Sequence, residues 1–282
     1  MTPGPVGRRV ALAGVSALLV AATATIAFAQ FERFYGGFRR VPPKFAAPDT
    51  FEGAFNFCRV MYQSTRREEG GMGWWTDYPD SDLNFSIRFS ELTKAPVGRE
   101  AGGEPKHIVV PITDPAMFQC PFLMIEDAGT AQFTDEEVTR LREYLLKGGF
   151  LWSDDFWGSR AWEQWVREIR RVLPADRYPI LDLPPEHPMF KTLFELKAVP
   201  QIPSIQFWRR SGGATSERGS DSDRVDVKGI ADERGRVMVF MTHNTDISDA
   251  WEREGEDPRF FYRFSVDGYA VGIDALIYAM SH

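Results

Sequence analysis

Adjacent carboxylates are the first feature of this sequence that could support chemistry. Asp154 and Asp155 come directly after the apolar segment 150–153, which is predicted to be a strand. Two close carboxylates repel each other, and this raises the pKa of one of them toward the range of a general base. His243 follows another predicted strand and is the histidine best placed to act with them. These three are the candidate catalytic residues if the protein is an enzyme; alternatively, one aspartate caps the next helix or pairs with an arginine.

A second group of candidate side chains lies in and after the loop that follows the first predicted strand. It contains two tryptophans, a tyrosine and two aspartates: Trp74, Trp75, Asp77, Tyr78 and Asp82. Aromatic rings flanked by carboxylates are suited to stacking on a sugar ring or closing over a small polar ligand. The alternative is that the tryptophans fill the core and Asp77 closes a turn before Pro79. Glu126 and Trp157, near the ends of two other strands, complete the candidate ligand-binding set.

We predict no cofactor and no metal site. The chain has two cysteines, too few for a zinc site, and it contains neither a phosphate-binding loop nor a dinucleotide-binding glycine motif. A metal held by Asp154, Asp155 and His243 would be chemically reasonable, but nothing in the spacing requires one. Cys58 lies inside a predicted strand and Cys120 just before another, so a disulfide is possible, although we expect two buried free thiols.

The elements that must position these residues are clearest in residues 122–158. This segment is predicted to form a strand, a helix, a pair of glycines and a second strand. Thr134 and Glu137 have the spacing of a capping box, and Gly148 and Gly149 end the helix. Strands joined through a helix lie parallel, and parallel sheets place functional residues at the carboxyl ends of their strands. Residues from different strand ends should therefore meet at one edge of the sheet.

Strands and helices alternate along the rest of the chain, which predicts a three-layer α/β sandwich with a mainly parallel central sheet, as in flavodoxin-like folds. The predicted strands are 55–62, 108–112, 122–126, 150–153, 180–183, 225–230 and 237–242, and the predicted long helices are 82–92, 134–147, 159–173 and 265–279. The last two strands should form a hairpin. The polar segment 209–224 is interpreted as a mobile insertion in a single domain that spans 51–282.

The N-terminal segment 1–29 has the pattern of a secretory signal peptide. Arg8 and Arg9 precede an uncharged apolar run, and small residues at its end predict cleavage before Gln30, followed by a linker over 30–50. The expected location is periplasmic or secreted, or membrane-anchored if the segment stays uncleaved. Cleavage removes two of 33 basic and none of 40 acidic residues and changes the formal net charge from −7 to −9. An acidic chain is not expected to bind nucleic acid, and we expect membrane contact only through the N-terminal segment.

Two long motifs carry a family resemblance: GGMGWWTDYPDSDLNFSIRFSELT and LREYLLKGGFLWSDDFWG. They resemble the bacterial family catalogued as domain of unknown function 4159 (DUF4159), over about residue 51 to the end, and this family implies no established activity. More distantly, the order of strand, helix, glycine pair and strand, followed by EHPMFKTLFEL, is similar to class I glutamine amidotransferase-like domains, including the trehalose-utilisation-like branch. Those enzymes place a nucleophilic cysteine after a strand. Here that region has Ser153, Asp154 and Asp155, so thiol amidotransferase activity is not expected.

The functional expectation is an exported domain that binds a small polar or carbohydrate-like ligand, or a partner protein of the cell envelope. The alternative is a hydrolase that uses Asp154 or Asp155 with His243. Both hypotheses make the same geometric demand, because Trp74, Asp77, Asp154 and His243 would have to converge on one open pocket.

Overall fold

The central sheet of the protein has seven strands in the order β3, β1, β4, β6, β9, β8, β7. The computed structural model describes residues 41–47 and 49–282, so the predicted signal peptide 1–29 and most of the predicted linker 30–50 lie outside the described residues. The compact unit formed by Pro43–His282 contains this sheet. Within the described ranges, no helix combines the length and apolarity needed to cross a membrane.

The predicted mainly parallel sheet is confirmed. Its strands are β1 (Phe57–Met61), β3 (His107–Pro111), β4 (Leu123–Ile125), β6 (Leu151–Phe156), β7 (Ile180–Asp182), β8 (Asp226–Ala231) and β9 (Val237–His243), while β2 (Gln63–Ser64) and β5 (Ala131–Gln132) form a separate small sheet. The five strands from β3 to β9 pair in parallel. The predicted hairpin is also confirmed, because β8 pairs with β9 in antiparallel fashion. Every residue of β9 is buried, as expected for a strand covered on both faces.

Helices pack on both faces of this sheet. The helices are α1 (Asp80–Thr93), α2 (Asp135–Leu146), α3 (Gly158–Val172), α4 (Ile205–Arg210), α5 (Asp249–Glu252), α6 (Pro258–Phe260) and α7 (Val266–Ser281). On one face, Phe85 of α1 contacts Phe57 of β1, with ring centroids 5.6 Å apart. On the other face, the ring centroid of Trp162 in α3 lies 6.3 Å from that of Phe156 in β6. The protein is therefore an α/β fold in which the sheet is covered on both sides.

A local sequence signal explains the start of α2 but not that of α1. At α2, the Thr134 hydroxyl accepts a hydrogen bond from the Glu137 amide (3.2 Å) and the Glu137 carboxylate accepts one from the Thr134 amide (2.7 Å), which confirms the capping box. At α1, the helix begins at Asp80, two residues before the predicted start at residue 82. Its N-cap is Pro79, which makes no side-chain capping bond.

Cys58 and Cys120 are joined in a disulfide, which corrects the expectation of two free thiols. Cys58 lies in β1, and Cys120 comes shortly before β4, which is the parallel neighbour of β1. Their Cα atoms are 6.2 Å apart, within the range that a disulfide spans. Residues 62 positions apart are thus brought together by strand order, which the spacing in the sequence does not reveal.

The segment 209–224, interpreted from its sequence as a mobile insertion, makes specific contacts. Glu217 accepts a hydrogen bond from the Ser204 amide (2.7 Å), and Asp221 accepts one from the Ser159 amide at the start of α3 (2.9 Å). Ser222 is buried. This segment therefore packs beside the carboxyl end of β6, where it contributes to the site described below.

Candidate functional site

The loops after the parallel strands converge at the carboxyl edge of the sheet. Four non-glycine residues in these loops or strand ends have positive φ angles: Asp77 (61°), Asp127 (48°), Asp155 (49°) and Asn244 (63°). Such a conformation costs of order 1 kcal/mol or more for a residue with a Cβ, and it is concentrated at functional sites. The chain therefore makes sharp turns after β4 and β9, at the end of β6, and in the loop that leads from β1 to α1.

A pocket of about 280 Å³ opens at this edge. Its wall carries carboxylates from separate parts of the chain: Glu69, Asp77, Asp155, Glu217, Asp246, Asp249 and Glu252. Arg210 and Arg253 also line it, and Met72 and Phe207 supply apolar surface. The described lining residues therefore include seven carboxyl groups and two guanidinium groups.

Three of these aspartates form a compact group, which we call the aspartate triad: Asp77, Asp246 and Asp249. One carboxylate oxygen from each lies within 4.8 Å of one from each of the others, and all three side chains are buried. The Ser248 hydroxyl is 2.7 Å from Asp77 Oδ2 and 3.2 Å from Asp246 Oδ1. Asp249 is held through Oδ2, which accepts a hydrogen bond from the Ile205 amide (2.9 Å). The triad is thus oriented by the surrounding chain.

Burial and mutual repulsion make this a proton-retaining or cation-attracting environment. Burial, followed by the nearby charges of Asp155 and Asp77, raises the pKa of Asp246 well above its usual value. Burial and Asp77 do the same to the pKa of Asp249, and Arg253 opposes them. Burial, assisted by Asp77, raises the pKa of Glu252 to about 9. A cluster of buried carboxylates such as this one is stabilised by a cation bound among them.

A fully buried arginine, Arg59, is already bonded to residues outside the triad. Arg59 of β1 donates from Nε to both carboxylate oxygens of Asp82, at 3.1 Å each, and from Nη1 to the Thr76 carbonyl at 2.8 Å. Its Nη2 lies 3.8 Å from Glu126 Oε1. Neither carboxylate oxygen of Glu126 accepts a hydrogen bond from the residues that the structure describes. Arg59 therefore balances Asp82 and leaves Glu126 only weakly compensated.

Comparison with known proteins assigns the chain to a family. The family model described as a domain of unknown function, DUF4159, matches residues 56–280. The chain belongs to the DUF4159 family. No curated protein matches it. The family match covers β1 to α7, so the acidic pocket lies within the family domain.

Within this DUF4159 domain, the two aspartates at the end of β6 have different roles. Strand β6 runs through both of them to Phe156, beyond the predicted end at Ser153, with an irregular register against β9. Asp154 Oδ2 accepts hydrogen bonds from the amides of Ile247 (2.7 Å) and Ser248 (3.1 Å), so it anchors the loop after β9. Burial raises its pKa to about 7. Asp155 lines the pocket and is held by a bond from Trp157 Nε1 (3.0 Å).

The structure does not bring His243 to these aspartates. Thr242 donates its hydroxyl hydrogen bond to Asp154, and successive side chains of a strand point to opposite faces, so His243 faces α3. There His243 Nε2 is 3.0 Å from the Gly158 carbonyl oxygen, and the ring packs against Trp162. Burial lowers its pKa. The hydrolase hypothesis therefore lacks its proposed base at the pocket.

The predicted aromatic cluster belongs to the interior. Trp74 and Trp75 are buried and stack on each other with ring centroids 4.2 Å apart. Tyr78 is also buried, and its hydroxyl accepts a hydrogen bond from the Lys44 amide (3.2 Å). Asp82 is occupied by Arg59, as described above. From this predicted cluster, only Asp77 reaches the pocket.

Sequence reasoning missed Asp246 and Asp249. Both lie in the segment NTDISDAWE directly after β9, and the rule that places Asp154 at a strand end applies equally to them. Arg59 was also missed, although an arginine inside an apolar strand indicates a buried charge that needs a partner. The contribution of Phe207 and Glu217 has no comparable sequence signal, because their segment reaches the pocket only through tertiary packing.

Proposed function

We propose that this DUF4159 chain is an exported α/β domain that binds a small, carbohydrate-like ligand in the acidic pocket, without thiol amidotransferase activity. The observation that carries the proposal is the pocket itself, about 280 Å³ in volume, with carboxylates on its wall and Phe207 beside them. Ligand pockets in proteins commonly run from roughly 300 Å³ upward, so this one suits a ligand about the size of a monosaccharide.

The chemistry of the wall favours a polyhydroxylated ligand. Carboxylates accept hydrogen bonds, and sugar hydroxyls donate them, while the apolar surface of Phe207 and Met72 can contact the C–H face of a ring. An anionic ligand would be repelled by the excess of carboxylates. Neutral sugars and amino sugars are therefore the expected classes, and uronic acids are not.

The proposed relationship to amidotransferase-like domains rests on the sheet and on the turn at Asp155. A strained residue between a strand and a helix is the geometry that presents a nucleophile in several hydrolase families. Here Asp155, with φ of 49°, lies next to the last residue of β6, shortly before α3 begins at Gly158. Cys58 and Cys120 are held in a disulfide, so neither offers a thiol. This arrangement supports binding without thiol chemistry.

The proposed export is supported by two independent features. The segment 1–29 has the composition of a signal peptide. The Cys58–Cys120 disulfide is of the kind that persists in oxidising compartments such as the periplasm. A fusion of residues 1–29 to a reporter that is active only after export tests this part directly, and cytoplasmic retention of the fusion would contradict it.

Ligand-dependent thermal melting of the full chain tests the binding proposal. A ligand at 100 times its Kd stabilises a protein by about 2.7 kcal/mol, which corresponds to a Tm increase of roughly 5–10 °C for a domain of this size. We expect such increases with neutral or amino sugars and none with uronic acids. Phe207→Ala should reduce the increase, whereas Glu186→Gln, at an exposed residue outside the pocket, should not. A flat response to the whole panel would contradict the proposal.

A further inference from the structure

The aspartate triad has more negative charge than its protein surroundings compensate. In the part of the chain that the structure describes, neither Asp77 nor Asp246 has an ion-pair partner within 4.0 Å, and Asp249 has only Arg253 at 3.8 Å. Arg253 is shared with Glu256, at 2.8 Å. Buried charges are normally paired or bound to a metal ion, because burial of an unpaired charge is costly. The triad must therefore either hold protons or bind a cation that the described residues do not supply.

A second observation, independent of the triad, points to the same place. Glu126, at the carboxyl end of β4, is fully buried, and neither of its carboxylate oxygens is hydrogen-bonded by the described residues. Its carboxylate faces the hydroxyl of Ser248. That hydroxyl donates instead to Asp77, at 2.7 Å, and it also contacts Asp246. A fully buried carboxylate that accepts no hydrogen bond from the described residues, and that has only Arg59 at 3.8 Å as a cationic neighbour, thus lies near the serine that contacts the triad.

The donor atoms define the class of cation. The triad offers only carboxylate oxygens, and His243 faces the opposite side of the sheet, so the group suits a hard cation and not zinc or copper. Oxygens on opposite sides of a calcium ion are roughly 4.6–5.2 Å apart, given Ca–O distances of about 2.3–2.6 Å. The triad oxygens lie within 4.8 Å of one another. Magnesium usually keeps more of its water and takes only one or two carboxylates.

We propose that Asp77, Asp246 and Asp249 bind a divalent cation of the calcium type at the floor of the acidic pocket, with Glu126 supplying additional negative charge behind them. Asp77 comes from the loop before α1, Asp246 from the turn between β9 and α5, and Asp249 is the first residue of α5, so the cation would hold these segments together. This inference goes beyond the proposed sugar-like ligand, because the cation site needs no organic molecule and can be measured without one.

Calorimetric titration of the EDTA-treated full chain with calcium chloride alone tests the proposal. We expect one site, with magnesium bound at least tenfold more weakly. The double variant Asp246→Asn with Asp249→Asn should lose at least tenfold in calcium affinity, whereas Glu186→Gln, the exposed control, should bind as the wild type does. The asparagine substitutions keep the shape of the side chains and relieve repulsion, so we expect the double variant to fold.

Thermal melting in the same buffers shows whether the double variant folds and whether calcium stabilises each protein. Calcium should raise the Tm of the wild type and leave that of the double variant unchanged, and without cation the double variant should melt at or above the wild type. The proposal would be overturned if the wild type showed neither a heat of calcium binding nor a calcium-dependent Tm increase. It would also be overturned if the double variant bound calcium with unchanged affinity. If no sugar raises the Tm but calcium still binds, only the proposed ligand is refuted. If sugars raise the Tm but calcium does not bind, only the cation site is refuted.

Discussion

Replacing Arg59 with methionine should destabilise the protein more than the loss of any ion pair on its surface. Arg59 is fully buried and bonds through separate nitrogens to Asp82, to the Thr76 carbonyl and to the Ser81 hydroxyl. Methionine fills much of the same space but leaves the Asp82 carboxylate buried without a cationic partner, with only the Ser81 hydroxyl among the described residues, at 3.1 Å, still bonded to it. Breaking a buried pair in this way costs about 3–5 kcal/mol. Because domains are typically stable by only ~5–15 kcal/mol, this loss is a large fraction of the total.

Equilibrium urea unfolding, followed by tryptophan fluorescence, measures this cost. Arg88→Met is the matched control, because Arg88 pairs with Glu254 at 3.0 Å and Glu91 at 2.8 Å while 37% of its side chain is exposed. Exposed pairs contribute about 0–1 kcal/mol, so the control should lose little. Combining Arg59→Met with Asp82→Asn should recover part of the stability, since it removes the uncompensated charge. A loss below about 1 kcal/mol for Arg59→Met, equal to that of the control, would refute this reasoning.

Three further substitutions test other parts of the structure. Burial lowers the pKa of His243, so on acidification the unfolded chain takes up this proton before the folded chain does. The wild type should therefore lose stability as the pH falls below about 6.5, the ordinary pKa of histidine. His243→Gln should lack this part of the pH dependence when urea unfolding is measured from about pH 5 to 8. Replacing Cys58 and Cys120 by serine should cost about 2–4 kcal/mol of unfolding free energy, because the disulfide restricts the unfolded chain. Glu126→Gln should raise the Tm of the EDTA-treated protein by relieving repulsion with Asp77 and Asp154, and it should weaken calcium binding several-fold in calorimetry.

Each of these expectations has an outcome that contradicts it. Equal acid sensitivity of the wild type and His243→Gln would show that this histidine does not govern the loss of stability. If dithiothreitol and the two serine substitutions leave the unfolding curve unchanged, the disulfide does not stabilise the fold. A lower Tm for EDTA-treated Glu126→Gln would mean that its weak contact with Arg59 outweighs the repulsion.

Local sequence patterns were sufficient to predict the parallel sheet and the helix that connects two of its strands. The capping box at Thr134 and the glycine pair after α2 define a crossover between β4 and β6, and this crossover requires parallel pairing. The parallel arrangement in turn predicts that the site lies at the carboxyl edge, where Asp77 and Asp155 do line the pocket. These features depend on short-range sequence, which is why the sequence reveals them.

The remaining features depend on contacts between distant segments. His243 follows the right strand but faces α3, because Thr242 takes the position beside Asp154. The Trp74 and Trp75 pair is buried by tertiary packing, and a loop sequence rich in glycine does not reveal this. Asp77 lies close to Asp246 and Asp249 in space although it is some 170 residues from both in the sequence. Ser248, which lies between those two aspartates, is 171 residues from Asp77 and forms a hydrogen bond with it.

Separate loops at the carboxyl edge of the sheet are proposed to bind one hard cation together. Anomalous diffraction from crystals grown with manganese chloride tests this proposal most directly, because manganese binds similar oxygen ligands and scatters strongly near its absorption edge. We expect one strong anomalous peak within about 2.6 Å of carboxylate oxygens from Asp77, Asp246 and Asp249. A crystal structure in which the three carboxylates are paired with basic side chains or bonded to one another, with no peak between them, would contradict the claim.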